Sequence, residues 1–479
     1  MSRSDLLQDA CRMANAFLDE VPDRRVRPDC TLQSMREALA EPLSANGVDA
    51  GEVLAELNSA AQDGLMASTG PRFFGFVIGG ALPVSIAADW LAVAWDQNPG
   101  IYVLSPAEAV AEETVAGWIL DLLRLPPESS VGFVTGGQMA NFTTLAAARY
   151  EVLRRVGWDV NENGLPGAPA VHLVNSQESH VTVFRSLRYL GLGTSSVITV
   201  ETDDQGRMIP ARLRETLQSI DGPLIVCAQA GNVNSGACDP LDEIADIVHE
   251  KNGWLHVDGA FGLWAAVVPS RRHLVAGAEK ADSWAVDAHK WLNVPQDCGF
   301  AIVRDRAAHR SAVSTNAEYL IKSDGEERDA VDWVPEFSRR SRGFAVYAAL
   351  RSLGRNGVTE LVERCCQLAK RMATKLTESP HVHLLNDVVL NQALLRFVPP
   401  EGDADEFTRR VILAIQKDGT TWLGGTTWRG EAAMRVSVSN WSTTAADIDR
   451  SAEAILRCLD QELNSLAETA GTAAGNSLR

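Results

Sequence analysis

The chain contains 479 residues, of which 46% are hydrophobic and 22% charged, and its formal net charge at pH 7 is −18. This length is sufficient for two or three packed domains, and the composition excludes wholesale disorder. The acidic charge argues against nucleic acid or an anionic membrane as a partner, because the surface of the protein would repel both.

Neither a membrane span nor a secretion signal is predicted. The most apolar run, residues 73–88, is shorter than the ~20 residues of a transmembrane helix and contains Gly79, Gly80 and Pro83. Residues 1–9 carry acidic side chains where a signal peptide would have an apolar stretch. We therefore expect a cytoplasmic protein.

The first two thirds of the chain begin with a helical pattern and continue with strands and helices in alternation. Residues 1–72 space their apolar side chains as helices do, and predict an N-terminal helical segment. Seven short apolar runs then alternate with helix-length segments, at 131–134, 170–174, 196–200, 224–228, 254–257, 283–286 and 299–303. This alternation predicts an α/β domain over 73–347, with a mostly parallel seven-stranded sheet that binds its ligand at the carboxyl ends of the strands.

The pattern changes again after residue 347. Segments 360–376 and 445–466 are helical in pattern, and segment 388–397 between them resembles a strand. We expect a smaller α+β domain over 348–466. Residues 467–479 are small and polar, and predict a flexible tail.

No metal site is predicted from the nine histidines and eight cysteines. They form no H-E-x-x-H motif, no C-x-x-C motif and no zinc-like spacing. We expect free, mostly buried thiols and no metal dependence.

The most specific chemical signal is Lys290, which directly follows a predicted buried strand. It lies between His289 and Trp291, in a segment whose other neighbours are largely apolar. A partly desolvated lysine loses its proton more readily and can form a Schiff base with a carbonyl. The alternative is a structural lysine whose amine reaches solvent.

Three further candidate sites follow other predicted strands. In Phe133-Val-Thr-Gly-Gly-Gln-Met-Ala-Asn141, a glycine pair leads into a helix whose exposed N–H groups form a candidate phosphate cradle. Asp258 ends a buried strand, where it can pair with a protonated ring nitrogen or simply cap a loop. His180 lies at a strand-to-helix junction, where an imidazole can stack on a flat ligand or cap the helix.

The four sites together point to one ligand. A phosphate cradle, a stacking imidazole, an acid for a ring nitrogen and a Schiff-base lysine are what pyridoxal 5′-phosphate (PLP) requires. Each site alone has a structural interpretation, but the combination is far more specific than any member.

In these motifs the chain resembles the group II PLP-dependent amino-acid decarboxylases, which include the aromatic-amino-acid and glutamate enzymes. The similarity covers most of the chain and is most specific in Val286-Asp-Ala-His-Lys-Trp-Leu-Asn-Val-Pro295. It implies the aspartate-aminotransferase-like fold (PLP fold type I). It also implies a homodimer with active sites at the subunit interface, where the N-terminal helices pack on the partner.

The resemblance also implies roles for individual residues. Lys290 would bind the cofactor covalently, Asp258 would pair with the pyridine nitrogen, and His180 would stack on the ring. The remaining implied cofactor contacts are Gly137, Gln138, Asn234, Ala260 and His289. The implied substrate contacts are Phe73, Phe74, Phe76 and Arg435, and for the phenylalanines and the arginine a purely structural role is the alternative.

The sequence departs from the family at one position. Aromatic decarboxylases carry a loop tyrosine thought to return a proton to the substrate carbon after CO2 leaves, whereas residues 321–340 contain no tyrosine and Tyr319 matches a different family position. The favoured function is decarboxylation of an L-amino acid, with an aromatic or other apolar substrate preferred. The alternatives are oxidative deamination to an aldehyde, another fold type I lyase or transaminase, and an inactive PLP-binding subunit.

Overall fold

The computed structural model of the chain describes residues 2–315, 325 and 327–476. Tyr319 lies outside these residues, and so does the start of segment 321–340, in which the family's loop tyrosine is absent. The chain divides into two compact units. The larger unit comprises Gly79–Lys370 and Leu385–Ala393, and the smaller unit comprises Met1–Ile78, Arg371–Leu384 and Leu394–Arg479.

All seven strands predicted from the sequence form one sheet in the larger unit. They are β1 (Ser130–Val134), β2 (His172–Ser176), β3 (Ile198–Val200), β4 (Leu224–Gln229), β5 (Trp254–Asp258), β6 (Ser283–Asp287) and β7 (Gly299–Val303). Every residue of β1, β4, β5, β6 and β7 is buried. Near-continuous apolar runs of this kind are typical of strands that are covered on both faces.

The sheet is mostly parallel, as predicted, with one strand reversed. The strand order is β1-β7-β6-β5-β4-β2-β3, and β7 runs antiparallel to both of its neighbours. Val134 at the end of β1 and Asp287 at the end of β6 both lie opposite Gly299 at the start of β7. The carboxyl ends of β1, β5 and β6 therefore share one edge of the sheet.

Helices flank this sheet, and their residues build the core. The helices are α4 (Pro83–Trp95), α5 (Pro106–Leu123), α6 (Gly137–Arg154), α7 (Val160–Asn163), α8 (Val181–Tyr189), α9 (Pro210–Gln218), α10 (Leu241–Glu250), α11 (Arg306–Val313) and α12 (Gly343–Leu376). α6 packs Leu145 and Val152 against Leu173 of β2 and Ile225 of β4 in one buried apolar cluster. This packing fixes α6 across the sheet, so that its first residue lies at the carboxyl edge.

The smaller unit combines helices with a four-stranded sheet. Its elements are α1 (Arg3–Glu20), α2 (Leu32–Leu39), α3 (Ala50–Gln62), β8 (Val382–Leu384), β9 (Gln392–Phe397), α13 (Ala404–Asp418), β10 (Gly424–Trp428), β11 (Glu431–Ser437) and α14 (Ala445–Asn476). The strand order is β10-β11-β9-β8. α14 continues to Asn476, where the sequence predicts a flexible tail from residue 467. The alanines in this stretch favour helix strongly enough to extend α14.

Three further properties concern the part of the chain that the structure describes. No helix there combines the length and apolarity needed to cross a membrane. No group of three or more His, Cys, Asp and Glu side chains there is placed to hold a metal ion. The eight cysteines are free thiols, and six of them are buried.

Candidate active site

The candidate site lies at the carboxyl edge of the large sheet. β5 ends at Asp258 and β6 ends at Asp287, with Lys290 three positions further along the chain. Because β5 and β6 are parallel neighbours, the two carboxylates and the lysine lie at the same edge. Two of the predicted site residues, Lys290 and Asp258, are thereby brought to adjacent strand ends.

Lys290 forms an ion pair with a carboxylate that the sequence analysis did not single out. Its Nζ lies 2.8 Å from Oδ2 of Asp287, and the two side chains are 20% and 2% exposed. Asp287 Oδ1 lies 3.6 Å from His289 Nε2 and accepts the N–H of Gly137 at 2.5 Å. Burial alone would raise the pKa of Asp287, but Lys290, His289 and the donated hydrogen bonds outweigh it and hold the pKa below its ordinary value.

Glycines allow the backbone to close around this lysine. A Cβ at Gly79 would lie 1.8 Å from the carbonyl oxygen of Lys290, so only glycine fits there. Gly136 has a φ of 149°, and a Cβ there would lie 2.7 Å from Cε1 of His289. The turn that carries Lys290 is also held by Leu82, whose N–H donates to the carbonyl of Asn293 at 2.8 Å. The position of Lys290 therefore depends on two close glycine contacts.

Asp258 is a buried carboxylate with two donors. Its Oδ2 accepts a hydrogen bond from Nδ2 of Asn141 at 3.2 Å, and its Oδ1 accepts the N–H of Ala260 at 3.3 Å. Asp258 is 8% exposed and Asn141 is 1% exposed. These bonds fix the plane of the carboxylate while leaving acceptor capacity for a cationic partner.

His180 is linked to the same asparagine. It is the N-cap of α8, where its Nδ1 lies 3.4 Å from the N–H and 2.7 Å from Oγ1 of Thr182. Nδ2 of Asn141 donates to this Oγ1 at 3.2 Å. The helix-capping interpretation of His180 is therefore correct, and the cap also places the imidazole in a network with Asp258.

The other predicted cofactor contacts lie around this network. The carbonyl of Ala260 accepts the N–H of Asp287 at 2.9 Å. Gln138 donates from Nε2 to Oγ of Ser186 in α8 at 2.9 Å. Asn234 lies in the loop after β4, where its N–H donates to Oδ1 of Asn232 at 2.9 Å.

The predicted substrate residues belong to the smaller unit. Phe73 is buried and stacks on Trp422 with ring centroids 4.9 Å apart, and Phe74 is also buried. Both phenylalanines are core residues of that unit, which was the alternative interpretation. Phe76 is 59% exposed. Arg435 lies on β11 opposite Gly424, and burial lowers its pKa.

Sequence reasoning missed Asn141, Asp287 and Thr182. A usable signal existed for Asp287, since it ends a buried strand just as Asp258 does. Asn141 gave no such signal, because its partners Asp258 and Thr182 lie 117 and 41 residues away in the chain.

This set of residues fits PLP. A lysine amine, an oriented carboxylate, an imidazole and the first turn of the 18-residue helix α6 lie along one sheet edge. At the start of α6, Cβ atoms on Gly136 and Gly137 would come within 3 Å of His289 and Asp287, so only glycines let these two side chains approach the helix start.

Comparison with known proteins identifies the family. Residues 33–397 match the pyridoxal-dependent decarboxylase conserved domain. The chain is 31% identical over 407 residues to the acidic amino acid decarboxylase GADL1 of Bos taurus, covering 82% of this chain and 77% of that protein. It is 26% identical to the aromatic-L-amino-acid decarboxylase of Bacillus atrophaeus, covering 94% of each. A crystal structure of Oryza sativa TDC with PLP and tryptamine superposes with a TM-score of 0.89 at 24% identity, over 96% of this chain and 98% of that one.

The chain therefore belongs to the pyridoxal-dependent decarboxylase family and has its PLP fold. It is a PLP-dependent carboxy-lyase, and the resemblance derived from the sequence motifs is confirmed.

Proposed function

We propose that the chain decarboxylates an L-amino acid to the amine and CO2, with Lys290 as the residue that binds PLP. The observation that carries the proposal is the pairing of the Lys290 amine with Asp287, next to the strand end that holds Asp258. When bound, PLP supplies the electron sink that lets a carboxylate leave the substrate carbon as CO2.

Each residue of the network has a defined task in this proposal. Asp258 keeps a proton on the ring nitrogen, since its carboxylate is held in place and buried. The first turn of α6 and His289 bind the phosphate, which carries the negative charge that a helix N-terminus favours. Asp287 holds the Lys290 amine at the strand end before the cofactor arrives.

His180 is the proposed proton donor in place of the absent loop tyrosine. Its imidazole is held at the N-terminus of α8 by Thr182. General acids of this kind return a proton to the substrate carbon after CO2 leaves. If no donor acts in time, O2 accepts two electrons in place of the proton transfer, and the products are the aldehyde, ammonia and hydrogen peroxide, which is the alternative function.

The proposed substrate is an aromatic or other apolar amino acid. Exposed Phe76 offers an apolar surface, with its ring 5.3 Å from that of Trp422. An acidic substrate is the second candidate, and the observation that favours it is Arg435, a partly buried cation on β11 whose pKa is lowered by burial.

The proposed assembly is a homodimer, and exposed apolar surface supports it. α4 buries only Ser85 and Ala92, and it exposes five large apolar side chains, at Val84, Trp90, Leu91, Val93 and Trp95. In the smaller unit, α1, α2 and α3 contain no buried residue. Exposed apolar surface is typical of protein interfaces, and a second copy of the chain is the partner that we propose.

The experiment is a substrate panel with paired gas measurements. Purified protein with PLP is mixed with single aromatic, acidic and diamino acids, while CO2 release and O2 uptake are followed. CO2 without O2 uptake is the expected result, and stoichiometric O2 uptake with ammonia would establish the alternative. Lys290→Ala is expected to remove both the visible absorbance of bound PLP and CO2 release, whereas Lys251→Ala keeps both. A panel without any CO2 release would refute the proposed function.

A further inference from the structure

A buried hydrogen-bond chain leads from the core of the sheet to Asp258. Nε1 of Trp254 lies 2.9 Å from Oγ of Ser283, and the same Oγ lies 3.0 Å from Nδ1 of His256. Nε2 of His256 lies 2.8 Å from Oδ1 of Asn141, whose Nδ2 donates to Asp258. Trp254, Ser283, His256 and Asn141 are each at most 1% exposed.

The carboxylate at one end fixes the direction of every bond in this chain. An ionised carboxylate only accepts, so Asn141 turns Nδ2 to Asp258 and its carbonyl Oδ1 to His256. Nε2 of His256 therefore carries the proton that it donates to Asn141, and Nδ1 of the neutral ring accepts from Ser283 Oγ. An indole N–H can only donate, which agrees with Ser283 Oγ accepting from Trp254.

His256 is neutral in this arrangement. Burial lowers its pKa to about 4, against the opposing effect of Asp258. A neutral imidazole with its proton on Nε2 is the only form that accepts from Ser283 and donates to Asn141 at once. The chain is therefore fully satisfied without a buried positive charge, and the positive charge facing Asp258 is left to the ligand.

Asn141 divides the chain into two branches. One N–H of Nδ2 donates to Asp258 and the other donates to Oγ1 of Thr182. Thr182 Oγ1 then donates to Nδ1 of His180, which also accepts the N–H of Thr182. The His180 proton is thereby placed on Nε2. One amide group thus orients Asp258 and, through the hydroxyl of Thr182, supports the imidazole of His180, whose tautomer is set by the N–H of Thr182.

We propose that Asn141 is a positioning residue for the cofactor site, held by Trp254, Ser283 and His256, that orients Asp258 and holds the imidazole of His180 through Thr182. This inference rests on the proposed function, since Asp258 and His180 receive their roles there. It predicts that donors on Asn141, rather than the volume of its side chain, are what PLP binding requires.

The test uses the isosteric variant Asn141→Asp, which keeps the shape and removes both donors. PLP affinity is measured on the apoprotein by quenching of tryptophan fluorescence, and the environment of bound PLP by its visible circular dichroism. We expect the affinity for PLP to fall roughly 10–100-fold, because Asp258 loses a charge-assisted hydrogen bond and gains a like charge beside it. We also expect the dichroism of the residual bound PLP to change, and kcat to fall more than KM rises.

A matched pair of buried histidines separates positioning from packing. His309 is, like His256, fully buried and neutral, and it hydrogen-bonds Oγ of Ser130 at 2.8 Å. No hydrogen bond among the described residues connects His309 to Asp258. His256→Gln and His309→Gln are therefore both expected to lower the unfolding midpoint, but only His256→Gln should alter PLP affinity and dichroism.

The outcomes are distinguishable from a failure of the proposed function. The positioning role would be overturned if Asn141→Asp bound PLP with the affinity and dichroism of the wild type. It would also be overturned if His256→Gln and His309→Gln changed PLP binding equally. Wild-type protein that binds PLP normally but releases no CO2 would instead refute the proposed function and leave this inference standing.

Discussion

Gly79 determines where Lys290 lies, because no side chain fits between the two residues. A Cβ at position 79 would lie 1.8 Å from the Lys290 carbonyl oxygen and 2.9 Å from its carbonyl carbon. We expect Gly79→Ala to displace the turn that carries the lysine by about 1 Å and to lower kcat/KM on the order of 10²-fold. Steady-state CO2 release together with PLP affinity measures the effect.

Gly117→Ala is the matched control for this variant. Gly117 lies within α5, and a Cβ there meets nothing within 4 Å in the chain. Alanine favours helix over glycine, so the control should unfold at a slightly higher temperature with unchanged kcat/KM. Equal activity of the two variants would show that Lys290 tolerates displacement.

Arg72 supports the smaller unit through backbone contacts. Its guanidinium donates to the carbonyls of Pro22, Arg24 and Thr420, and burial lowers its pKa. Lysine has a single ammonium that cannot reach three divergent carbonyls. We expect Arg72→Lys to lower the free energy of unfolding by about 1–3 kcal/mol in urea titrations.

The same variant tests whether Arg72 acts only through the backbone of the smaller unit, because an arginine could also contact the carboxylate of a substrate. A structural arginine leaves KM for acidic amino acids unchanged, whereas a substrate contact would raise it. Arg27→Lys is the control, at an exposed position three residues after Arg24. It should change neither the free energy of unfolding nor KM. A raised KM at unchanged stability would contradict the structural role.

The sequence indicated the residues that follow strands, but not those that act through other side chains. Lys290, Asp258 and His180 were predicted because each follows or ends an apolar run. Asn141 was read only as part of a helix start, since its partners His256 and Asp258 are brought to it by folding of the sheet. Phe73 and Phe74 were assigned to the substrate although burial was the alternative, because aromatic runs look the same in both settings.

At the scale of single elements, α5 buries two carboxylates one turn apart. Glu108 and Glu112 are both fully buried, and Nη2 of Arg339 lies 2.6 Å from Oε1 of Glu112. Glu108 accepts the N–H of Gly343 at 2.7 Å. Burial and the neighbouring Glu112 raise the pKa of Glu108 to about 8, so this carboxyl is protonated at neutral pH.

The raised pKa predicts a pH dependence of stability. The folded chain keeps a proton on Glu108 that the unfolded chain releases near pH 4.5, so stability falls as pH rises from about 4.5 to about 8. Glu108→Gln mimics the protonated acid and should flatten this slope by up to roughly 1.4 kcal/mol per pH unit. Urea unfolding of wild type and variant at pH 5, 6, 7 and 8 measures it.

Glu113 on the same helix provides the control. It is exposed, so Glu113→Gln should leave the slope of stability against pH as in the wild type. Parallel curves for wild type and Glu108→Gln would mean that Glu108 is already ionised when folded.

The presence of each strand in the large sheet was predicted better than its direction relative to its neighbours. All seven strands of the large sheet were found from their apolar runs, but nothing local distinguishes reversed β7 from its parallel neighbours. The direction of a strand depends on the length and path of its connection, which only the folded chain shows. α14 was predicted too short, because residues 467–476 lack large apolar side chains whose spacing would indicate a helix.

At the scale of the whole molecule, the proposed homodimer predicts that one charge on α4 breaks the assembly. Leu91 is 51% exposed and lies among other exposed apolar side chains of α4. A glutamate at this position would be buried in a dimer without a partner for its charge. We expect wild type to sediment as a dimer and Leu91→Glu as a monomer with reduced activity. Val156→Glu, which charges a similarly exposed apolar position after α6, should remain dimeric and active. A monomeric wild type, or a Leu91→Glu variant as dimeric as Val156→Glu, would show that the exposed face of α4 is not the contact between subunits.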